Sequence, residues 1–191
     1  MYFHQIFVDI GKGKTYKDNP IYLEYVEENK KRHSYLQHKI WNEEMLDKLV
    51  EEHYPDLLDF WKGFPHKFWK IDFGRYLILA KEGGIYCDMD DVIIEPIIFF
   101  QKDILTTFIR ESTGKREFGN NIIYFKDSNR YLELIDYCLE RNRTCKMPSN
   151  WKERRFFHIV GQRCFNSFLK DEKKVNRIMY KTKDTRSWKN Y

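Results

Sequence analysis

Between Pro65 and Asp91 the chain sets out a helix, a stop, a short apolar strand and a crowd of carboxylates. Proline opens the segment, apolar residues recur at helical spacing as far as Lys81, and Gly83-Gly84 follows. That pattern predicts one helix with a glycine stop. Ile85-Tyr86-Cys87 then reads as a strand, and Asp88, Asp90 and Asp91 put three acids within four residues. Carboxylates so close repel one another unless a cation or strong donors neutralise them. Oxygen clusters of this kind suit Mg²⁺ or Mn²⁺ better than Zn²⁺, and their simplest purpose is to hold a metal against a phosphate-bearing ligand. The plainer alternative is an acidic turn after a strand. Upstream, Asp72 and Arg75 are three apart and share one helix face. With so short a connection between the elements, Asp72 is expected to face the region of the acidic turn. Its plainer alternative is an ordinary intrahelical ion pair.

The remaining elements alternate. Residues 2–8 read as a buried strand, and Gly11-Lys12-Gly13-Lys14 as a loop without the spacing of a phosphate-binding P-loop. Asn19-Pro20 caps a helix to about Lys30, Ser34–Trp41 is a strand, and Asn42 starts a helix through His53. Pro55–Gly63 is a short helical piece. Val92–Ile94 continues the strand that enters the acidic turn, and Pro96 ends it. Strands at Ile104–Arg110 and Asn121–Phe125, helices at Ser128–Arg141 and Gly161–Asp171, a strand near Val175–Tyr180 and a polar tail complete the order. Alternation of this kind predicts an α/β fold with a mostly parallel central sheet flanked by helices. At 191 residues, one domain over 1–191 is expected.

Aromatic residues make up 17% of the chain, more than a minimal core requires, so some are free to line a sugar or base cleft. The net charge of +5 is spread along the chain, with one modest run at Lys30-Lys31-Arg32. It would help attract an anionic donor. It does not form the basic stripe of a nucleic-acid binder, so no nucleic-acid partner is expected. Cys87, Cys138, Cys145 and Cys164 show no zinc spacing and fit reduced thiols. No apolar run is long enough to span a membrane, and the first strand starts almost at Met1. The expectation is a soluble cytoplasmic protein, of a bacterium or a virus-infected host cell.

Asp72-x-x-Arg75-Tyr76-x-x-Leu79, then Gly83-Gly84-Ile85-Tyr86, then Asp88-x-Asp90 resembles the DXD sugar transferases of glycosyltransferase family 32. Phe3-His4-Gln5-Ile6-Phe7 matches that family's N-terminal pattern. The likeness is specific over residues 1–10 and 68–96 and weak or faint beyond. It implies a GT-A (Rossmann-like) fold that moves a sugar from a nucleotide-diphosphate donor to a glycan or other hydroxyl acceptor, with retention and with Mn²⁺ or Mg²⁺. The metal would neutralise charge building on the departing diphosphate. By the same resemblance Asp90 is a direct metal ligand, and Asp88 reaches the metal and the donor ribose or sugar. Asp72 accepts from sugar hydroxyls, and Arg75 forks onto phosphate. His4 and Gln5 contact the nucleotide, mostly through backbone, Tyr76 and Gly84 belong to the donor site, and Asn121, with Asn120 beside it, belongs to the sugar pocket. Asp72, Asp88 and Asp90 are the catalytic candidates. Asp91 is read as an acid behind the metal ligands or, by preference, a solvent-exposed neighbour, and His158 as more often structural than functional.

One departure from the family pattern stands out. Many members carry a His shortly before a terminal Ser-Trp, whereas this tail reads Lys183-Asp184-Thr185-Arg186-Ser187-Trp188. Asp184 then replaces the His as an oxygen ligand, or Lys183 or Arg186 neutralises the diphosphate, or metal binding is weakened. Two rival readings remain. One is a non-catalytic nucleotide-sugar or carbohydrate binder on the same scaffold. The other is a haloacid-dehalogenase-type phosphatase with Asp88 as nucleophile and Asp90 as acid, although 87 residues precede Asp88.

Overall fold

The computed structural model describes residues 1–9, 15–97, 102–109, 114–146, 152–170, 176–177 and 180–182. The Gly11–Lys14 loop and the tail with Lys183, Asp184, Arg186 and Trp188 lie outside them. Strand β1 (Tyr2–Ile6) is followed by helix α1 (Pro20–Arg32), and the Asn19 side chain accepts from the Ile21 N–H at 3.1 Å to cap it. Strand β2 (Gln37–Trp41) leads into helix α2 (Glu43–His53), capped by Asn42 accepting from Met45 N–H at 2.8 Å. Both caps satisfy backbone donors that a helix start leaves open. A turn at Pro55–Leu57 and the short helix α3 (Leu58–Lys62) bring Trp61 inward.

Helix α4 (Lys67–Glu82) is buried at every position from Asp72 to Leu79. A helix covered on all sides belongs to the interior, and this one lies against the sheet with helix α5 (Asn129–Thr144) beside it. Gly83 and Gly84 end it at φ 64° and 87°. A Cβ at Gly84 would sit 2.4 Å from the Tyr2 carbonyl oxygen, so glycine lets the chain turn tightly against β1 before strand β3 (Ile85–Cys87).

Strand β4 (Asp91–Ile93), strand β5 (Ile104–Ile109) and strand β6 (Arg116–Tyr124) precede α5. Helices α6 (Lys152–Ile159) and α7 (Gln162–Phe168) follow it, then strands β7 (Asn176–Arg177) and β8 (Tyr180–Thr182). Among the described residues the main sheet runs β2-β1-β3-β6-β5-β7. Strand β1 pairs parallel with β2 and β3, and β5 pairs parallel with β7, so only β6 runs against the rest. The mostly parallel α/β sheet expected from the sequence is present.

Alternate residues of the strands feed two cores, as the two-residue period of a strand requires. Tyr86, Leu105 and Ile123 face the helical layer of α2, α4, α5 and α7. Ile85, Cys87, Ile104 and Ile122 face the other side, with Phe3, Ile93 and Ile97. On that second side lies a two-stranded antiparallel sheet of β4 and β8, with α1 against β4.

Two expectations change. Val92–Ile94 does not continue β3. Asp91 N–H donates to the Asp88 carbonyl at 3.2 Å, closing a turn that carries the chain into the second sheet. A run of apolar residues cannot show such a turn, because both segments have the same hydrophobicity. The expected helix at Gly161–Asp171 is α7 alone, and α6 was not anticipated. Its start, Lys152-Glu153-Arg154-Arg155, is a run of charge with little apolar period to read.

Gly84→Ala should cost more than about 2 kcal/mol, since left-handed strain adds to a backbone clash. Gly83→Ala, with nothing within 4 Å of its Cβ position, should cost about 1–2 kcal/mol. Urea-unfolding midpoints of the two variants would test this, and equal losses would rule out the clash with Tyr2.

Candidate active site

The site is built where β3 leaves the sheet. Asp88 N–H donates to the Asn121 carbonyl at 2.8 Å, and the Gln5 side chain reaches the Asp88 carbonyl at 3.4 Å. The turn gathers Asp88, Asp90 and Asp91 so that one ligand oxygen from each lies within 4.8 Å of the others. Alternation along an extended strand would have set only Asp88 and Asp90 on one side. The turn instead adds Asp91, which is 2% exposed rather than solvent-facing. Its Oδ2 accepts from Asn121 Nδ2 at 2.6 Å.

Arg75 lies beneath, 4% exposed. Its guanidinium meets Asp72 Oδ1 at 2.7 Å and Asp88 Oδ1 at 3.3 Å. It also donates to the Ile71 and Asn120 carbonyls and lies 4.6 Å from the Tyr86 ring centre. Tyr86 O–H in turn donates to Asp88 Oδ1 at 2.6 Å. The phosphate fork expected of Arg75 is corrected accordingly: the guanidinium is engaged within the protein, where it joins two carboxylates. Burial pushes the Asp72 carboxyl up to about 6, against the pull of Arg75 and the Asn120 hydrogen bond, with the Asp88 charge adding to the rise. Burial outweighs the ion pair because both Asp72 and its partner are nearly sealed from water.

Strand β6 supplies two asparagines through an irregularity. Leu105 pairs with Ile123 but Thr106 pairs with Gly119, so residues 120–122 have no counterpart on β5. Bulges of this type re-aim side chains. Asn120 Nδ2 donates to Asp72 Oδ1 at 3.0 Å, and Asn121 turns toward Asp91. Thr106 Oγ1 donates to Asn121 Oδ1, and the Tyr180 side chain also hydrogen-bonds Asn121. A Cβ at Gly119 would fall 2.3 Å from both Thr106 Oγ1 and Asn121 Oδ1, so glycine is required for that junction. Thr106 and Tyr180 were missed by the sequence reading. A glycine inside a strand followed by Asn-Asn was the available signal for the bulge.

Other expected residues sit elsewhere. His4 is wholly buried: Trp41 Nε1–H donates to its Nδ1 at 3.1 Å, and its Nε2 bonds the Gly83 carbonyl at 2.9 Å. Its ring therefore serves the fold and has no nitrogen left for a nucleotide. Gly84 lies at the far end of β3 from Asp88, against Tyr2, so backbone packing replaces its donor-site reading. Tyr76 is buried beside Phe165, with its hydroxyl donating to the Val160 carbonyl at 3.0 Å. It stands one hydrogen bond behind Asn120. The His158 ring pairs with Arg163. Asp184 lies outside the described residues.

Three carboxylates, Asp88 and Asp90 half-buried and Asp91 buried, are a hard-oxygen donor set. An ion with metal–oxygen distances of about 2.1 Å spans oxygens up to about 4.2 Å apart, so small side-chain rotations suit Mg²⁺ or Mn²⁺. The donor chemistry fits such an ion.

Comparison with known proteins agrees with this geometry. Residues 22–114 match the family model described as a glycosyltransferase sugar-binding region containing a DXD motif. That segment is similar to a DXD glycosyltransferase region. The chain is similar to a mannosyl phosphorylinositol ceramide synthase of Saccharomyces cerevisiae, 35% identical over 81 residues, or 41% of this chain and 22% of that protein. It is also similar to the initiation-specific alpha-1,6-mannosyltransferase of Candida albicans, 33% identical over 40% of this chain and 20% of that protein. An inositol phosphoceramide mannosyltransferase of Schizosaccharomyces pombe is 26% identical over 69% of this chain and 39% of the relative. The match thus spans well under half the length of these curated relatives. In fold, the chain resembles the PaToxG glycosyltransferase, with a TM-score of 0.65 at 15% identity, over 90% of this chain and 69% of that one. The fold is GT-A. The matched segment includes the acidic turn of Asp88, Asp90 and Asp91. No helix among the described residues is long and apolar enough to cross a membrane.

Burial lowers His4 from 6.5 to about 4, partly opposed by the Gly83 hydrogen bond and the Glu82 charge and assisted by Lys39. A base held neutral in the fold contributes stability above its unfolded value, and that stability is lost as pH falls toward the folded one. Between about pH 7 and pH 5 the loss should be on the order of 1–2 kcal/mol. Asp72, shifted upward, acts in the opposite sense, so total stability hides the effect. The difference in unfolding free energy between the native chain and His4→Gln, followed over this range, should shrink as pH falls. A constant difference would show that folding leaves the His4 pKa unchanged, and a difference that grows as pH falls would show that His4 is protonated in the fold.

Proposed function

We propose that the chain is a metal-dependent glycosyltransferase that takes its sugar from a nucleotide-diphosphate donor. The observation that carries this is the cluster of Asp88, Asp90 and Asp91 at the carboxyl end of β3, inside the segment that matches the DXD region. Ligands of open α/β sheets bind beyond the carboxyl ends of their strands. The relatives named above are described as mannosyl-transferring proteins, which favours a mannose-bearing donor and a hydroxyl acceptor on a glycan or glycolipid headgroup.

In this reading Asp88, Asp90 and Asp91 hold Mn²⁺ or Mg²⁺. A bound ion would supply charge neutralisation for the diphosphate as it leaves. Asp184 is two residues beyond Thr182, the Cα partner of Asp91, so the chain leaves β8 next to the turn. That favours Asp184 as a further oxygen ligand from the tail. Asp72 presents a carboxylate to donor sugar hydroxyls, steadied by Asn120 and Arg75. Arg75 acts from below, fixing the spacing of Asp72 and Asp88. Asn121 orients Asp91 and borders the sugar side.

Thermal melting with a panel of nucleoside diphosphates and nucleotide sugars, each with and without Mn²⁺, tests the reading. A ligand at about a hundred times its Kd should add about 2.7 kcal/mol to the stability of the native state. Asp90→Asn should lose the Mn²⁺-dependent part of that gain and keep the melting point of the free protein. An unchanged gain in Asp90→Asn would sink the proposal. A gain without metal, and without transfer of sugar to any hydroxyl acceptor, would favour the binding-protein reading instead.

A further inference from the structure

Asn29 is a polar residue in the middle of the buried face of α1, 0% exposed. An unpartnered amide there would cost the helix dearly. Both of its ends are engaged, by the backbone of β4: Nδ2 donates to the Asp91 carbonyl at 2.9 Å, and Oδ1 accepts from Ile93 N–H at 3.1 Å. One helical turn later His33, 1% exposed, places its Nε2 2.9 Å from the Ile93 carbonyl. Its Nδ1 lies 3.1 Å from the Tyr35 hydroxyl, and that hydroxyl accepts from Ile97 N–H at 2.9 Å. The opposite edge of β4 is paired with β8. Side chains from residues 29–35 therefore stand where a neighbouring strand would be, and they pin the segment that begins at Asp91.

We propose that Asn29 and His33 are positioning residues for the metal turn: by fixing the backbone of β4 they set where the carboxylates of Asp90 and Asp91 stand. The inference rests on reading Asp88–Asp91 as a divalent-cation site. The clamp has the geometry the task requires. Its bonds to β4 all go to main chain, so it fixes position without adding a charge next to the acids. It grips Asp91 itself through the carbonyl, while Asn121 grips the same residue through the carboxylate. Helix α1 is thereby coupled to the ligand set although none of its side chains belongs to it. His33 is held in turn by stacking on Phe3, at 5.6 Å between ring centres, and by the His38 ring on its carbonyl. The rail is therefore anchored to β1 and β2 and does not depend on the ion.

The test is direct titration of the intact chain with Mn²⁺, counting free ion by its EPR signal, at a temperature where every variant is folded by circular dichroism. Asn29→Leu and His33→Phe should each weaken Mn²⁺ binding by about tenfold or more, the usual effect of removing a group that orients metal ligands. His33→Gln keeps a side-chain N–H for the Ile93 carbonyl and should stay within about threefold of the native chain. A merely structural clamp would lower melting temperatures and leave the Mn²⁺ dissociation constants alone, and that outcome overturns the proposal. If Asn29→Leu does not fold, His33→Phe decides by the same criterion. Should the native chain bind Mn²⁺ no better than Asp90→Asn, the metal reading fails and the clamp's proposed role fails with it. Native binding with unaffected clamp variants removes only the clamp.

Discussion

The Arg75 guanidinium lies under the acidic turn with Asp72 and Asp88 both in ion-pair range, and much of the structure is arranged around that fact. Like charges about 4 Å apart repel by about 4 kcal/mol at an effective dielectric of about 20. A turn with three carboxylates therefore needs a counter-charge even before any ligand arrives. Arg75 meets that need for Asp88 from the interior side, where no water can. It is kept charged by its neighbours despite burial, with its usual high value raised further by Asp88, Tyr86 and Asp72. Removing one partner of such a buried pair is far more costly than never having built it, so α4 and the end of β3 are effectively locked together. Asp90, half-buried, and Asp91, buried against Asn121, are left to other donors and, in the proposed function, to a cation.

Around this pair the secondary structure does different work on the two sides of the sheet. On the helical side, α4 carries Asp72 and Arg75 on its buried face, and Tyr76 and Phe165 pack behind them. On the other side, the small sheet of β4 and β8 closes against α1. The bulge in β6 lies between and lets two adjacent asparagines serve different acids, Asn120 toward Asp72 and Asn121 toward Asp91. Gly84 and Gly119 are two of the places where a side chain would disturb this arrangement, one by meeting the backbone of β1 and the other by filling a hydrogen-bond junction.

Several parts of the site were legible in the chain. The helix, the glycine stop and the strand into the acids follow from local periodicity and turn chemistry, which depend on neighbours within a few residues. Asp88 and Asp90 stood out because close acids are costly wherever they occur. Asp91 was misjudged: its burial comes from Asn29, Asn121 and β8, which are remote in sequence, and no local pattern reports them. The place of the His4 ring was illegible for the same reason, since it is fixed by Trp41 and Gly83. Arg75 had both candidate roles in view, and only packing could choose between a phosphate and a second carboxylate.

By itself, the sequence determined the alternation of strands and helices, the turn where the acids gather, and the likeness to a sugar-transferase family. All of these are encoded in short-range spacing. Tertiary structure alone decided that the acidic turn leaves the main sheet, that β6 bulges, that Arg75 faces inward and that α1 grips β4 through Asn29 and His33. Each of these depends on contacts between segments tens of residues apart, such as the 62 positions separating Asn29 from Asp91. The physical reason is burial: whether a polar group meets water, an ion or another polar group is settled only when distant parts of the chain pack around it.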